Sequence, residues 1–220
     1  MHDTLKNLLD IEKNIKIHLD KLNIKNYPKI VAVSKTFEIN KILPLIEYGH
    51  LDFGENKVQE AVEKWTEVKK TNPKIKLHMI GKLQTNKVKF AVQLFDYIHS
   101  VDSEKLAKEL DKREKQLKKK LSYFIQVNLG SEEQKGGIEI DNLENFFKFV
   151  TKETSLSVIG LMAIPPNDTN YEKYFSQISD LNKKFEFNQL SIGMSNDYMT
   201  AIKYGASFVR IGSAIFGPRS

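Results

Sequence analysis

Of the many lysines in this sequence, one stands in an unusual place. Lys35 directly follows the apolar run Val31-Ala32-Val33-Ser34. A lysine there reads in two ways. It can lay its apolar stem along a strand end and keep its ammonium in water. It can also lose its charge by desolvation and act as an amine nucleophile that condenses with a carbonyl.

Arg210 raises a similar question, because it sits among apolar neighbours in Phe208-Val209-Arg210-Ile211-Gly212. Lysine supplies almost every other cation, and the remaining arginines are Arg113 and Arg219. A guanidinium at this position suggests a need for its planar fork. Buried, it must have a partner, and a salt bridge across the core would meet that need as well as a ligand would. Nearby in type are Gly193-Met194-Ser195-Asn196 and Gly212-Ser213-Ala214. Small residues beside hydroxyls let backbone N–H groups approach an anion, while Ser195 also suits the N-cap of a helix starting near Asp197. With Arg210 and Lys35, these segments point to a phosphate-bearing aldehyde as ligand.

Composition removes other chemistries. Cysteine is absent, which excludes disulfides, zinc–thiolate sites, iron–sulfur clusters and thiol nucleophiles. The histidines, His2, His18, His50, His78 and His99, have no metal-binding spacing, so no metal site is expected. A net charge of +6 raises the question of nucleic acid. Lysines interleave with acids along Ser103 to Lys120 as on a solvated helix face, and specific readers of bases favour arginine, so none is expected. No apolar run approaches the roughly 20 residues that span a bilayer, and Met1 to Lys6 lacks the pattern of a secretory signal. The expectation is a cytoplasmic protein with no membrane partner.

The elements that must position these residues follow from periodicity. With 220 residues, 40% hydrophobic, one core and one domain over 1–220 are expected. Strand candidates are Lys29 to Ser34, His50 to Gly54, Leu77 to Gly81, Tyr97 to Val101, Tyr123 to Asn128, Val158 to Ile164, Leu190 to Gly193 and Phe208 to Gly212. Between them Ile39 to Tyr48, Glu55 to Lys70, Asp141 to Thr151 and Asp197 to Tyr204 read as helices, and Thr4 to Leu22 forms an extra helix before the first strand. Eight β-α repeats with apolar strands predict an α/β fold, a single (β/α)8 TIM-type barrel. An open doubly wound sheet is disfavoured because no Gly-x-Gly-x-x-Gly follows the first strand. In such a barrel the C-terminal strand ends carry the active face, and the loops after strands seven and eight are the recurrent phosphate site.

At these residues the chain resembles the pyridoxal phosphate homeostasis proteins, a family related to the barrel domain of bacterial alanine racemase. The resemblance rests on Val31-Ala32-Val33-Ser34-Lys35-Thr36, on the segment Phe53 to Glu60 with its Gly54-Glu55-Asn56, and on His78 to Lys87. It continues through Ser100 to Ser103, Gln126-Val127-Asn128, Gly160-Leu161-Met162, Leu190 to Ser195 and Arg210 to Gly217. Two departures are Ser213 where the family usually has threonine and Ile192 where it usually has methionine. Serine keeps the hydroxyl.

The resemblance implies pyridoxal 5′-phosphate (PLP) as cofactor, held as an internal aldimine on Lys35. It implies that Arg210 faces the pyridine nitrogen and that Ser195, Gly212 and Ser213 take the phosphate. Met194 should make a contact beside Ser195, with Asn56, His78 and Met162 on the ring side. Alanine racemase draws a tyrosine base from a second, β-rich domain, which this sequence is not expected to supply. The implied function is a carrier or buffer in PLP homeostasis, with PLP-requiring apoenzymes as candidate recipients, and a monomer is expected because the dimer contact of the racemase's second domain is not expected here. A small racemase or lyase is the alternative.

Overall fold

The computed structural model describes residues 2–130, 136–166 and 170–218. Eight parallel strands close on themselves: β1 (Lys29–Val33), β2 (Asp52–Glu55), β3 (Lys76–Met79), β4 (Tyr97–Val101), β5 (Ser122–Asn128), β7 (Ser157–Ala163), β8 (Gln189–Met194) and β9 (Phe208–Ile211). The two-residue β6 (Ile138–Glu139) is an addition to the expected eight, pairing with Val127 and Asn128 of β5. Closure is made by β1 with β9, where Val31 lies beside Arg210 and Ala32 beside Ile211. β9 and most of β1 are buried throughout, as expected of strands covered on both faces.

Helices α2 (Ile39–Tyr48), α3 (Val58–Thr71), α4 (Val88–Leu94), α5 (Glu104–Leu117), α6 (Ile140–Glu153), α7 (Tyr171–Lys184), α8 (Tyr198–Lys203) and α9 (Ser213–Phe216) surround the barrel. The extra helix α1 (Asp3–Leu22) buries Leu8, Ile11, Ile15 and Leu19, whose spacing places them on one face. It is pinned over the seam of the barrel by Asn7 Nδ2 donating to the Ile215 carbonyl (2.9 Å) and by His18 Nε2 against the Met199 carbonyl (3.0 Å). No helix among the described residues is long and apolar enough to cross a membrane.

Two local expectations need correction. Glu55 ends strand β2 rather than opening a helix, and α3 begins at Val58, because the Glu55 carboxylate is drawn into the wall by buried donors. Ser195 does not cap α8, whose N-cap is Asp197; its hydroxyl serves another loop.

Candidate functional site

A cavity of about 300 Å³ opens at the C-terminal rim and brings together Lys35, Asn56, Met194, Ser195, Arg210, Gly212 and Ser213. Its size lies at the lower end of small-molecule sites, roughly 300–1,000 Å³. These residues come from the ends of β1, β2, β8 and β9, which a parallel barrel delivers to one rim.

Glycines set two approaches. Gly193 has φ +92°, and a Cβ there would stand 2.7 Å from the Ala201 Cβ, so this turn lets β8 pass over α8 toward Ser195. Gly81 packs directly on the backbone of Asn56, leaving no room for a Cβ. That contact fixes the chain that carries Asn56 to the rim.

Ser195 Oγ accepts from the amides of Gly212 (3.2 Å) and Ala214 (3.3 Å). Those bonds occupy the oxygen's acceptor capacity and leave the hydroxyl proton for an anion. The Gly212 amide is thereby engaged by Ser195.

Arg210 is only 4% exposed. Its guanidinium donates to the Ser191 carbonyl (2.7 Å), to Ser191 Oγ (2.6 Å) and to the Ala163 carbonyl (2.9 Å). Among the described residues it makes no ion pair at salt-bridge distance, so neutral oxygens rather than a cross-core carboxylate satisfy it. Burial lowers its pKa to about 10, against the opposing pull of Asp197, and it remains charged at neutral pH. Asp197 is buried at the same rim and accepts from the Met194 amide. Burial raises its carboxyl above the usual range, against that amide and Arg210.

The structure does not bring His78 and Met162 into the cavity. Both are fully buried inside the barrel, Met162 among Val31, Phe124 and Phe208. Side chains of a strand face the same way every second residue. Just past the ends of these two strands, the residue two positions on reaches the cavity instead, Ile80 after His78 and Ile164 after Met162.

His78 belongs instead to a buried polar chain. Its Nε2 lies 3.0 Å from Asp52 Oδ1 and its Nδ1 3.0 Å from His99 Nε2, while His99 Nδ1 lies 2.8 Å from Ser191 Oγ, the acceptor of Arg210. Burial lowers the His78 pKa, with Asp52 opposing, and burial lowers that of His99 well below the usual range, reinforced by His78 and Arg210. Tyr97 stacks on the His78 ring at 4.4 Å.

Sequence reasoning missed His99, Ser191 and Asp197, together with Tyr171, which lines the cavity. The available signal was polar residues inside apolar strands, as at His99 in β4 and Ser191 in β8.

The family model described as the alanine racemase N-terminal domain matches residues 7–220, and the chain belongs to that family. Its relatives narrow the placement to the pyridoxal phosphate homeostasis proteins. That of Aquifex aeolicus is 38% identical over 204 residues, 89% of each chain. That of Escherichia coli K12 is 35% identical over 201 residues, 86% of this chain and 85% of its own. The structure of PipY from Synechococcus elongatus PCC7942 with PLP bound superposes with a TM-score of 0.81 at 32% identity, covering 92% of this chain and all of that one. Alanine racemase of Clostridium difficile 630 shares the fold, with a TM-score of 0.75 at 14% identity over 98% of this chain and 56% of its own.

Proposed function

We propose that this chain binds PLP at the rim cavity and acts in the cytoplasm as a monomeric, single-domain carrier or buffer of that cofactor, supplying PLP-requiring apoenzymes. The observation that carries the reading is the gathering of Lys35, Arg210, Ser195 and Ser213 around one cavity, in a chain that resembles a protein solved with PLP bound.

In this reading Lys35 bonds the cofactor aldehyde. Its amine, uncharged when it reacts, would form the C=N bond, and both amine protons would leave with the aldehyde oxygen as water. Ser195 and Ser213 donate to the phosphate. Gly212 contributes by orienting Ser195 through its amide, and Met194 and Asn56 flank the ligand. His78 and Met162 act from beneath the cavity, outside its lining. PLP supplies an electrophilic aldehyde and a ring able to accept electron density. Arg210, charged at neutral pH, donates a hydrogen bond toward the ring nitrogen and keeps its own proton, so the ring nitrogen stays unprotonated, which suits storage better than carbanion chemistry.

Borohydride reduction of the PLP-loaded protein followed by peptide mapping tests the reading. The label is expected on Lys35 and lost in Lys35→Ala. Equal labelling of another lysine in the wild type would overturn the assignment.

Tyr171 and Asp197 at the cavity keep the alternative, a small racemase or lyase, in view as candidate bases. Exchange of amino-acid α-protons in deuterium oxide, followed by NMR, separates the two. The carrier reading expects no exchange above free PLP.

A further inference from the structure

The motif Phe53 to Glu60 carries two carboxylates, Glu55 and Glu60, that the cavity does not use. Both turn instead toward the short segment that bears Lys35. Ser34, fully buried, donates its hydroxyl to Glu55 Oε1 at 2.7 Å. Trp65 Nε1 donates to the same oxygen at 2.8 Å. On the other side of Lys35, the amide of Thr36 donates to Glu60 Oε1.

Lys64 ties the two sides together. Its Nζ lies 3.1 Å from Glu55 Oε1 and 3.0 Å from Glu60 Oε1, and it donates to the Ser34 carbonyl at 2.9 Å. The same carbonyl accepts from the Phe37 amide at 3.2 Å. Lys64 is 10% and Glu55 0% exposed at the side chain, so water competes little for these bonds.

Thr36 shows why such fixing is needed. Its φ is +66°, a left-handed conformation that a β-branched residue rarely adopts and that persists only where surrounding contacts hold it. Left to itself, the chain after Lys35 would relax to another conformation and swing the lysine stem.

We infer that Glu55, Glu60 and Lys64 are positioning residues for Lys35, clamping the residues on either side of it so that its amine meets the aldehyde in a reactive geometry. The inference rests on the reading that Lys35 bonds PLP. None of the three lines the cavity, so the clamp governs the covalent step and leaves the phosphate and ring contacts alone. Misplacing a reacting atom by about 1 Å can cost on the order of 100-fold in rate.

The test separates covalent capture from binding. Pyridoxamine 5′-phosphate has an amine in place of the aldehyde and cannot bond a lysine, so its affinity reports the cavity alone. Glu60→Gln should slow imine formation on Lys35, followed by absorbance and borohydride trapping, by about tenfold or more. Its affinity for pyridoxamine 5′-phosphate should stay within about twofold of wild type. Lys64→Met should behave like Glu60→Gln, and Lys64→Arg, which keeps a cation between the carboxylates, should recover most of the rate. The Lys64 pair serves if Glu60→Gln does not fold. Unchanged trapping in Glu60→Gln or Lys64→Met, or a parallel loss of pyridoxamine 5′-phosphate affinity, would overturn the clamp. Wild-type protein that binds pyridoxamine 5′-phosphate but traps no PLP on Lys35 would overturn the underlying reading as well.

Discussion

His99 Nδ1 lies 2.8 Å from Ser191 Oγ, and this contact joins a hydrogen-bonded chain running through the barrel from Asp52 to Arg210. The ends fix its direction. A guanidinium can only donate and an ionised carboxylate can only accept. Ser191 therefore accepts from Arg210 and donates to His99 Nδ1. His99 donates from Nε2 to His78 Nδ1, and His78 donates from Nε2 to Asp52. Arg210 is thus oriented from beneath the cavity by residues that never reach it.

Both imidazoles are expected to be neutral with the proton on Nε2, which ¹⁵N NMR of the histidine rings reads directly. Their lowered folded pKa values mean that the unfolded chain binds more protons below its own value of about 6.5. Stability should be full above that pH and fall as pH drops through it. Urea unfolding between pH 5 and 8 on a flat stability profile, or a doubly protonated His99 in the native protein near pH 6, would contradict the chain as drawn.

Arg210→Lys replaces a fork by a point donor. It cannot reach Ser191 and the Ala163 carbonyl in the same geometry, and at least one buried oxygen loses its partner. A stability loss of about 1–3 kcal/mol is expected in denaturant titrations, together with weaker PLP binding by equilibrium dialysis. Wild-type stability and affinity in this variant would show that any cation suffices.

Ser195→Ala and Ser213→Ala each remove a hydroxyl from the proposed phosphate contacts. Each should weaken PLP by about 1.5–3 kcal/mol and affect pyridoxal, which has no phosphate, much less. Because the two serines would share one ligand group, the double variant need not be additive. Equal losses for PLP and pyridoxal would remove the phosphate from the account of these residues.

Gly193→Ala tests the turn that carries β8 to Ser195. The new methyl would meet the Ala201 Cβ at 2.7 Å on a backbone with φ +92°, and a cost of about 1–3 kcal/mol is expected. The loss should appear as a lower Tm with PLP affinity reduced alongside it. A variant as stable as wild type would mean that the loop relaxes freely.

The barrel was legible because its eight strands announced themselves as short apolar runs and helices such as α1, α2, α3 and α6 as spaced apolar stripes. The edges were less so. Glu55 looked like the start of a helix because it precedes a helical pattern, yet its partners Ser34 and Trp65 lie 21 residues before and 10 after it, and neither separation has a local signature. Ser195 looked like a cap because it stands before a helix, whereas the amides it accepts from lie 17 and 19 residues later.

The sequence by itself determined that Lys35, Ser195, Arg210 and Ser213 share one rim. In a parallel barrel every strand ends on the same side, so order along the chain is enough. The resemblance put His78 and Met162 beside the ligand. Only the tertiary structure decided their height. Strands in a closed barrel tilt and stagger, so an inward residue one step lower falls into the core rather than the cavity, and its partners come from strands distant in sequence. The separation of 92 positions from His99 to Ser191 is bridged by closure of the barrel, which no local pattern records.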